Sequence, residues 1–244
     1  MTDTGLVIPG YKRDDDGAHP PLLSPGYKST VLRAPSQPPI LLPHTLTEIT
    51  GPLLGEGRVT AADADLTKPP GTPAGAEAQG QRIIVHGQVR DSDGRPVPHT
   101  LVEIWQSNAA GRYRHDRDYD HAPLDPHFTG VGRVLTDSLG RYRFVTIKPG
   151  AYPWRNHFNA WRPAHIHLSL FGRAFTQRLV TQMYFPDDPL FRYDPVFNSV
   201  PEAARHRMVS RFDLDNTVEE WALAFEFDIV LRGREATPME EAHE

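Results

Sequence analysis

Apolar and polar residues alternate from Arg82 onward in short segments that turn signals separate. Successive side chains of a β-strand point to opposite faces, so this alternation predicts strands with one buried face. Aspartate and glycine clusters at residues 91–94 and 137–140 predict turns. The pattern predicts strands at residues 83–89, 101–105, 133–136, 142–147, 165–170, 179–185 and 221–231.

Three further local expectations follow from the same pattern. The segments at 133–136 and 142–147 flank the second turn, which predicts a hairpin. Ser199 and Glu202 have the spacing of a capping box, which predicts a short helix over residues 203–212. The last strand would send the apolar members of 221–231 to one face, and residues 234–244 read as a loose acidic tail.

About seven strands with one short helix indicate an all-β fold, an antiparallel β-sandwich of the immunoglobulin-like or prealbumin-like kind. The expected division is an extended arm at 1–80, the sandwich at 81–233 and the tail at 234–244. Adhesion and carbohydrate-binding modules share this architecture. The strand pattern alone therefore leaves a metal-free binding module open beside an enzyme.

Proline clusters mark residues 1–80, in a chain with 24 prolines and 19 glycines. Proline blocks helix interiors, and no convincing helix or strand is expected in this arm. Two interpretations stay open, a disordered tail or a strap across a partner subunit. Apolar residues at 31–32 and 40–42 are the reason to keep the second.

Composition removes several classes of protein. A net charge of -5 argues against a general nucleic-acid binder, and no apolar run approaches a membrane span. No secretory signal is visible, so a cytoplasmic location is the expectation. The chain has no cysteine, so any metal must be held by nitrogen and oxygen.

The predicted strand at 165–170 carries the most suggestive chemistry. His165, His167 and Ser169 alternate with Ile166, Leu168 and Leu170, so both imidazoles share one face. Two imidazoles on a rigid strand are half of a metal site. A solvated polar face is the ordinary alternative, and the motif alone does not decide between them.

Long loops at 106–132 and 149–163 could supply the other half, because such loops in compact domains are often functional. A free tyrosine ligates poorly near neutral pH because its pKa is about 10. A trivalent cation favours the phenolate, so tyrosines with histidines would suit Fe(III). The loops hold these ligating, anion-binding or stacking side chains: Tyr113, Arg114, His115, Tyr119, Tyr152, Trp154, Arg155, Trp161 and Arg162.

Several segments resemble the intradiol ring-cleavage dioxygenases. The likeness extends from about residue 83 to 233 and is looser in the arm. Helices that other branches carry at the N-terminus are not expected here, which favours the branch that cleaves protocatechuate. The matching segments are residues 101–115 (LVEIWQSNAAGRYRH), 122–126 (APLDP), 147–150 (IKPG), 152–156 (YPWRN) and 161–167 (WRPAHIH).

The resemblance implies a non-haem Fe(III) site with four ligands, Tyr113, Tyr152, His165 and His167. It also implies that Tyr152 is the ligand that leaves when substrate binds. Arg162 would stand beside the substrate, and Gln182 would contact the site from behind. Trp154 and Trp105 are expected to fill core, and His115, His121 and His127 receive no role.

The resemblance further implies a reaction and a partner. Protocatechuate and O2 would give 3-carboxy-cis,cis-muconate by cleavage between the two hydroxyl carbons. An iron-free α chain would contribute to the pocket for the substrate carboxylate. Catechol, hydroxyquinol or a substituted homologue remain alternative substrates for the same site.

Overall fold

The computed structural model describes residues 17–37, 56–118, 120–154, 161–171 and 178–240. Two β-sheets face each other and enclose one hydrophobic core. The expected all-β sandwich is confirmed. The strands are β1 Arg82–Arg90, β2 Leu101–Trp105, β3 Val131–Leu135, β4 Arg141–Ile147, β5 Tyr152–Pro153, β6 Trp161–Arg162, β7 His165–Phe171, β8 Arg178–Tyr184, β9 Arg211–Val218, β10 Ala222–Glu226 and β11 Ile229–Val230.

The first sheet is built around β1, which is antiparallel to β4 and parallel to both β10 and β11. β9 completes it at the far side of β10. The parallel pairs are an exception to the antiparallel arrangement that we expected. They arise because the last predicted strand runs beside β1 in the same direction. This strand is interrupted between Glu226 and Ile229, which divides it into β10 and β11.

The second sheet is fully antiparallel, in the order β3, β2, β7, β8. Its inner strand β7 places Ile166 and Leu168 in the core, both fully buried. The same core receives Phe225, Phe227 and Ile229 from the other sheet, as the alternation of the last strand predicted. Burial of these apolar side chains is the main favourable contribution to folding.

Short helices connect the strands on the outside. The α-helices are α1 Lys28–Arg33, α2 Pro195–Ser199 and α3 Glu202–Arg205, and 3-10 turns lie at Glu56–Arg58, Ala61–Ala64, Phe191–Tyr193 and His206–Met208. None of the helices in the described part of the chain has the length and apolarity to cross a bilayer.

Two local predictions were wrong. β3 and β4 do not form a hairpin, because they lie in opposite sheets and the turn at 137–140 carries the chain from one to the other. The helix expected over residues 203–212 is only α3 and a 3-10 turn, and β9 begins at Arg211. Ser199 does not cap α3, since its hydroxyl donates to the carbonyl of Val196 at 2.7 Å.

Both terminal regions hold more structure than expected. The arm contains α1, where the buried hydroxyl of Thr30 donates to the carbonyls of Ser24 and Tyr27 at 2.7 and 2.8 Å. At the other end, Ala236 and Thr237 are only 1% and 2% exposed, so residues 236–240 are not a loose tail. Residues 1–16 and 38–55 of the predicted arm and residues 241–244 of the predicted tail lie outside the described residues.

Residues 61–67 lie along one side of the sandwich. The N–H of Leu66 donates to the carbonyl of Val145 on β4 at 2.9 Å. On β3, a Cβ at Gly132 would come within 2.4 Å of the Leu66 side chain, so only glycine allows this approach. The segment therefore touches the outer strands of both sheets at once.

Candidate metal centre

β7 presents His165 and His167 side by side on one face, as the alternation predicted. The two Nε2 atoms are 3.2 Å apart, and the residues are 1% and 8% exposed. This face is covered rather than solvated. The ordinary alternative of a wet polar face is therefore wrong for this strand.

Hydrogen bonds at the other ring nitrogens orient both imidazoles. Nδ1 of His165 lies 2.7 Å from the Pro163 carbonyl, and Nδ1 of His167 lies 2.9 Å from a carboxylate oxygen of Glu240. These oxygens only accept, so each Nδ1 carries a proton and donates it. Each Nε2 then presents a lone pair, which is the form in which an imidazole ligates a cation.

Two tyrosines approach the histidine pair from separate loops. The Tyr152 hydroxyl lies 3.3 Å from Nε2 of His165, and its ring meets that of Tyr113 edge-on with centroids 5.4 Å apart. The Tyr113 hydroxyl is buried without a hydrogen-bond partner of good geometry among the described residues. A buried hydroxyl without a well-aligned partner is a group that a bound ligand could satisfy.

The loops are tied together so that the tyrosines meet. Tyr152 belongs to β5, which pairs with β6 in a ladder where Tyr152 stands opposite Arg162. The backbone N–H of Tyr113 donates to Asp118 at 2.8 Å. Gly111 has a φ of 83°, and a Cβ there would come within 2.3 Å of the Ala151 carbonyl. The first loop can therefore pack directly against the second.

Burial opposes ionisation of both phenols. Burial raises the pKa of Tyr113 well above its ordinary value, and the neighbouring Tyr152 raises it further. Burial also raises the pKa of Tyr152, although Arg162 acts in the opposite direction. Burial lowers the pKa of His165 well below its usual range, together with Arg162 and His167, so this imidazole is neutral. Phenolate ligation here therefore requires a cation of high charge.

Arg162 is held behind the tyrosines in a buried polar cluster. Its Nε lies 3.0 Å from Asp194, and both side chains are almost fully buried at 4% and 0% exposure. Its terminal nitrogen donates to Gln182 and to the Tyr184 hydroxyl. Burial is the largest single effect and disfavours the charge, but Asp194, Tyr152, Tyr184 and Glu240 together outweigh it, and the pKa of Arg162 is raised above its ordinary value. The guanidinium is a fixed cation.

The donor set fits a hard trivalent ion better than the common divalent ones. Within the described ranges, no group of three or more histidine, cysteine, aspartate or glutamate side chains is placed to hold a metal. Glu240 bonds to Nδ1 of His167, on the far side of the ring from the four converging atoms. Two imidazoles and two phenols remain, and phenolate oxygen is a hard donor that suits Fe(III).

The structure brings together the six residues that the resemblance assigned to the site. Tyr113, Tyr152, His165 and His167 converge, and Arg162 contacts Gln182. Their metal-binding and catalytic roles remain predictions. Tyr119 and Arg155 fall outside the described residues, while His115 and His121 are exposed.

Sequence reasoning missed four contributors to this site. Trp105 does not simply fill core, since its ring stacks on His167 with centroids 4.7 Å apart. Asp194, Tyr184 and Glu240 were not singled out at all. Asp194 and Glu240 lie far along the chain from their partners, so no local pattern joins them, whereas Tyr184 lies two residues from Gln182 on the same face of β8.

Comparison with known proteins identifies the family. Residues 49–233 match the family described as Dioxygenase, and residues 11–45 match the one described as Protocatechuate 3,4-dioxygenase beta subunit N terminal. The chain is 58% identical to the protocatechuate 3,4-dioxygenase beta chain of Burkholderia cepacia, over 91% of this chain and 94% of that one. It is 29% identical to the alpha chain of the Pseudomonas putida enzyme, over 81% and 96% respectively.

Among solved structures, 3-chlorocatechol 1,2-dioxygenase from Rhodococcus opacus superimposes with a TM-score of 0.53. The match covers 70% of this chain and 65% of that one at 23% identity, which supports the fold alone. The family match and the 58% identical relative carry the assignment. This chain belongs to the intradiol ring-cleavage dioxygenases and is an enzyme.

Proposed function

We propose that this chain binds Fe(III) through Tyr113, Tyr152, His165 and His167 and cleaves protocatechuate with O2 to 3-carboxy-cis,cis-muconate. The reaction would serve aromatic catabolism through the β-ketoadipate pathway. The observation that carries the proposal is the convergence of the Nε2 atoms of His165 and His167, 3.2 Å apart, with the phenols of Tyr113 and Tyr152. The 58% identical relative, named a protocatechuate 3,4-dioxygenase beta chain, supports the choice of substrate.

The four ligating side chains would have different roles. Fe(III) would supply Lewis-acid activation of a bound catechol toward O2. His165 and His167 lie on β7, which has strand partners on both sides, so they would stay in place. Tyr152 lies on the two-residue strand β5, so its phenolate would have more freedom to move than the histidines and would be placed to take one proton from an arriving catechol. A proton that moves to a phenolate already in the buried site limits the change of net charge there.

Arg162 would stabilise negative charge that develops on the substrate ring. Its guanidinium is fixed by Asp194 and lies 5.2 Å from the ring centre of Trp154. A preoriented cation costs little reorganisation when charge develops, which is the basis of electrostatic catalysis. Gln182 accepts from both Arg162 and Tyr184 and would keep the guanidinium in that orientation.

The substrate carboxylate needs a partner that this cluster does not offer. The guanidinium of Arg162 already contacts Asp194, Gln182 and Tyr184, so it is not assigned to the carboxylate. We therefore include in the proposal an iron-free α chain that contributes to the carboxylate pocket. Relatives named as alpha and beta chains of one enzyme support such a hetero-oligomer. The isolated chain should turn protocatechuate over poorly, and full activity as a monomer would contradict this part.

Metal analysis and visible absorption of the chain co-purified with its α partner test the iron site. We expect stoichiometric iron and a red-brown charge-transfer band that shifts when protocatechuate is added without oxygen. The variant His165→Ala should lose both iron and colour. A colourless preparation that contains iron would refute tyrosinate ligation. A panel of protocatechuate, catechol and hydroxyquinol then separates the proposed substrate from its alternatives.

A further inference from the structure

We propose that the C-terminal segment (residues 236–240) is a working part of the metal centre, with Glu240 as the positioning residue that holds His167 in its ligating tautomer. This inference rests on the proposed function. It adds a residue that belongs neither to the four-ligand motif nor to the substrate contacts.

The contact between Glu240 and His167 is short and sheltered. A carboxylate oxygen lies 2.9 Å from Nδ1, and the two side chains are 12% and 11% exposed. On its face the same imidazole stacks against Trp105 with an interplanar angle of 9°. The carboxylate and the indole together fix both the tautomer and the plane of the ring, which aims Nε2 at His165.

The C-terminal segment is anchored to both sheets. Thr237 exchanges two hydrogen bonds with Val230 of β11, at 2.9 and 3.0 Å. The hydroxyl of Thr181 on β8 donates to the Pro238 carbonyl at 2.7 Å. The N–H of Glu240 donates to the Val180 carbonyl at 2.6 Å. Glu240 therefore reaches His167 from a bound backbone rather than from a free tail.

The N-terminal arm closes over the same segment. The N–H of Met239 donates to Nδ1 of His19 at 3.1 Å. Ala18 and Ala236 are each 1% exposed and share a small apolar cluster with Tyr184 and Met208. The position of Glu240 thus depends on contacts with two distant parts of the chain.

The two histidines differ in what supports them. Nδ1 of His165 donates to a neutral carbonyl, that of Pro163, whereas Nδ1 of His167 donates to a carboxylate. A carboxylate acceptor makes the opposite nitrogen more basic, so His167 would be the stronger donor to a cation. Losing such a partner commonly costs about 10–100-fold in metal affinity.

The test compares iron retention in Glu240→Ala, Glu240→Gln and the control Glu235→Gln, each co-purified with the α chain. Glu235 lies in the same terminal region but is 72% exposed and pairs with Arg207. We measure bound iron, the rate of its loss to a chelator, the visible band and the thermal midpoint. Glu240→Ala should lose iron about 10–100-fold faster than the parent and show a shifted band.

Glu240→Gln should be affected less, because its carboxamide oxygen can still accept the Nδ1 proton. It also preserves the side-chain shape, so it carries the comparison if the alanine variant does not fold. The Glu235→Gln control should match the parent.

Parent-like iron loss and an unshifted band in both Glu240 variants would overturn the inference, even if the thermal midpoint falls. That result would leave Glu240 a merely structural residue while the proposed function stands. A parent enzyme without iron would instead refute the proposed function, and this inference with it.

Discussion

Replacement of Asp194 by asparagine tests whether the buried ion pair with Arg162 holds the site together. The pair is 3.0 Å long, and neither side chain exceeds 4% exposure. Asp194 also accepts from the Tyr184 hydroxyl and from the N–H of Val196, both at 3.0 Å. The change keeps the side-chain shape but leaves Arg162 as a buried cation without a counter-ion.

Breaking one side of a buried ion pair typically costs about 3–5 kcal/mol. Asparagine can still accept the N–H of Val196 through its amide oxygen, so we expect about 3 kcal/mol of lost unfolding free energy, at the lower end of that range. For a chain of this size that loss corresponds to a fall of roughly 6–12 °C in the thermal midpoint. An ion pair on the surface would give a much smaller effect.

Urea and thermal unfolding measure the loss, and a double-mutant cycle assigns its cause. Arg162→Met removes the cation, so the double variant should be more stable than Asp194→Asn alone. Asp93→Asn is the matched control, since Asp93 pairs with Arg95 at 62% and 75% exposure. It should cost less than about 1 kcal/mol. A loss below about 1 kcal/mol for Asp194→Asn, or no recovery in the double variant, would refute the reasoning.

Three further expectations concern separate parts of the molecule. Tyr152→Phe should keep the fold but weaken the visible band of the iron-loaded enzyme, and an unchanged absorption spectrum would contradict ligation by Tyr152. Hydrogen bonds from the Thr60 backbone and hydroxyl, with Arg133, lower the pKa of Asp63 from 3.8 to about 2. Stability from this depressed pKa is fully present above 3.8 and is lost as the pH falls toward 2. Asp63→Asn should therefore cost about 1 kcal/mol near neutral pH, and urea titrations should show the difference shrinking below pH 3.8, whereas a constant difference would count against it. Gly87→Ala would place a Cβ 2.0 Å from the Phe227 carbonyl and should cost about 1–3 kcal/mol or more in the same assay, whereas Gly57→Ala, with no atom nearby, is the neutral control.

Local periodicity in the sequence was enough to predict much of the fold and part of the candidate site. The alternation at His165 and His167 predicted their common face because strand side chains have a strict period of two. The last strand was likewise predicted with its apolar face inward, and Phe225 and Phe227 lie in the core. Where one face of a segment is buried, the pattern within that segment is enough to predict which of its residues lie in the core.

The missed features depend on parts of the chain that are distant in sequence. Glu240 is 73 residues from His167, and no sequence pattern near either residue predicts the contact. β9 was missed for a different reason. Its alternation of Phe212 and Leu214 with aspartates was present, but the Ser199 and Glu202 spacing favoured a helix running into it. Tertiary pairing with β10 decided the outcome.

The position of residues 61–67 also affects how readily the chain would associate with other copies of itself. β3 and β4 are the outer strands of their sheets on this side, and unpaired strand edges are templates for joining another chain. The N–H of Leu66 donates to the Val145 carbonyl, and Asp65 forms an isolated β-bridge with Val145. The Leu66 side chain fills the space above Gly132. The segment thus protects the edge of β4 from self-association, so a shortened chain starting after residue 67 should aggregate even with every residue of its candidate iron site intact.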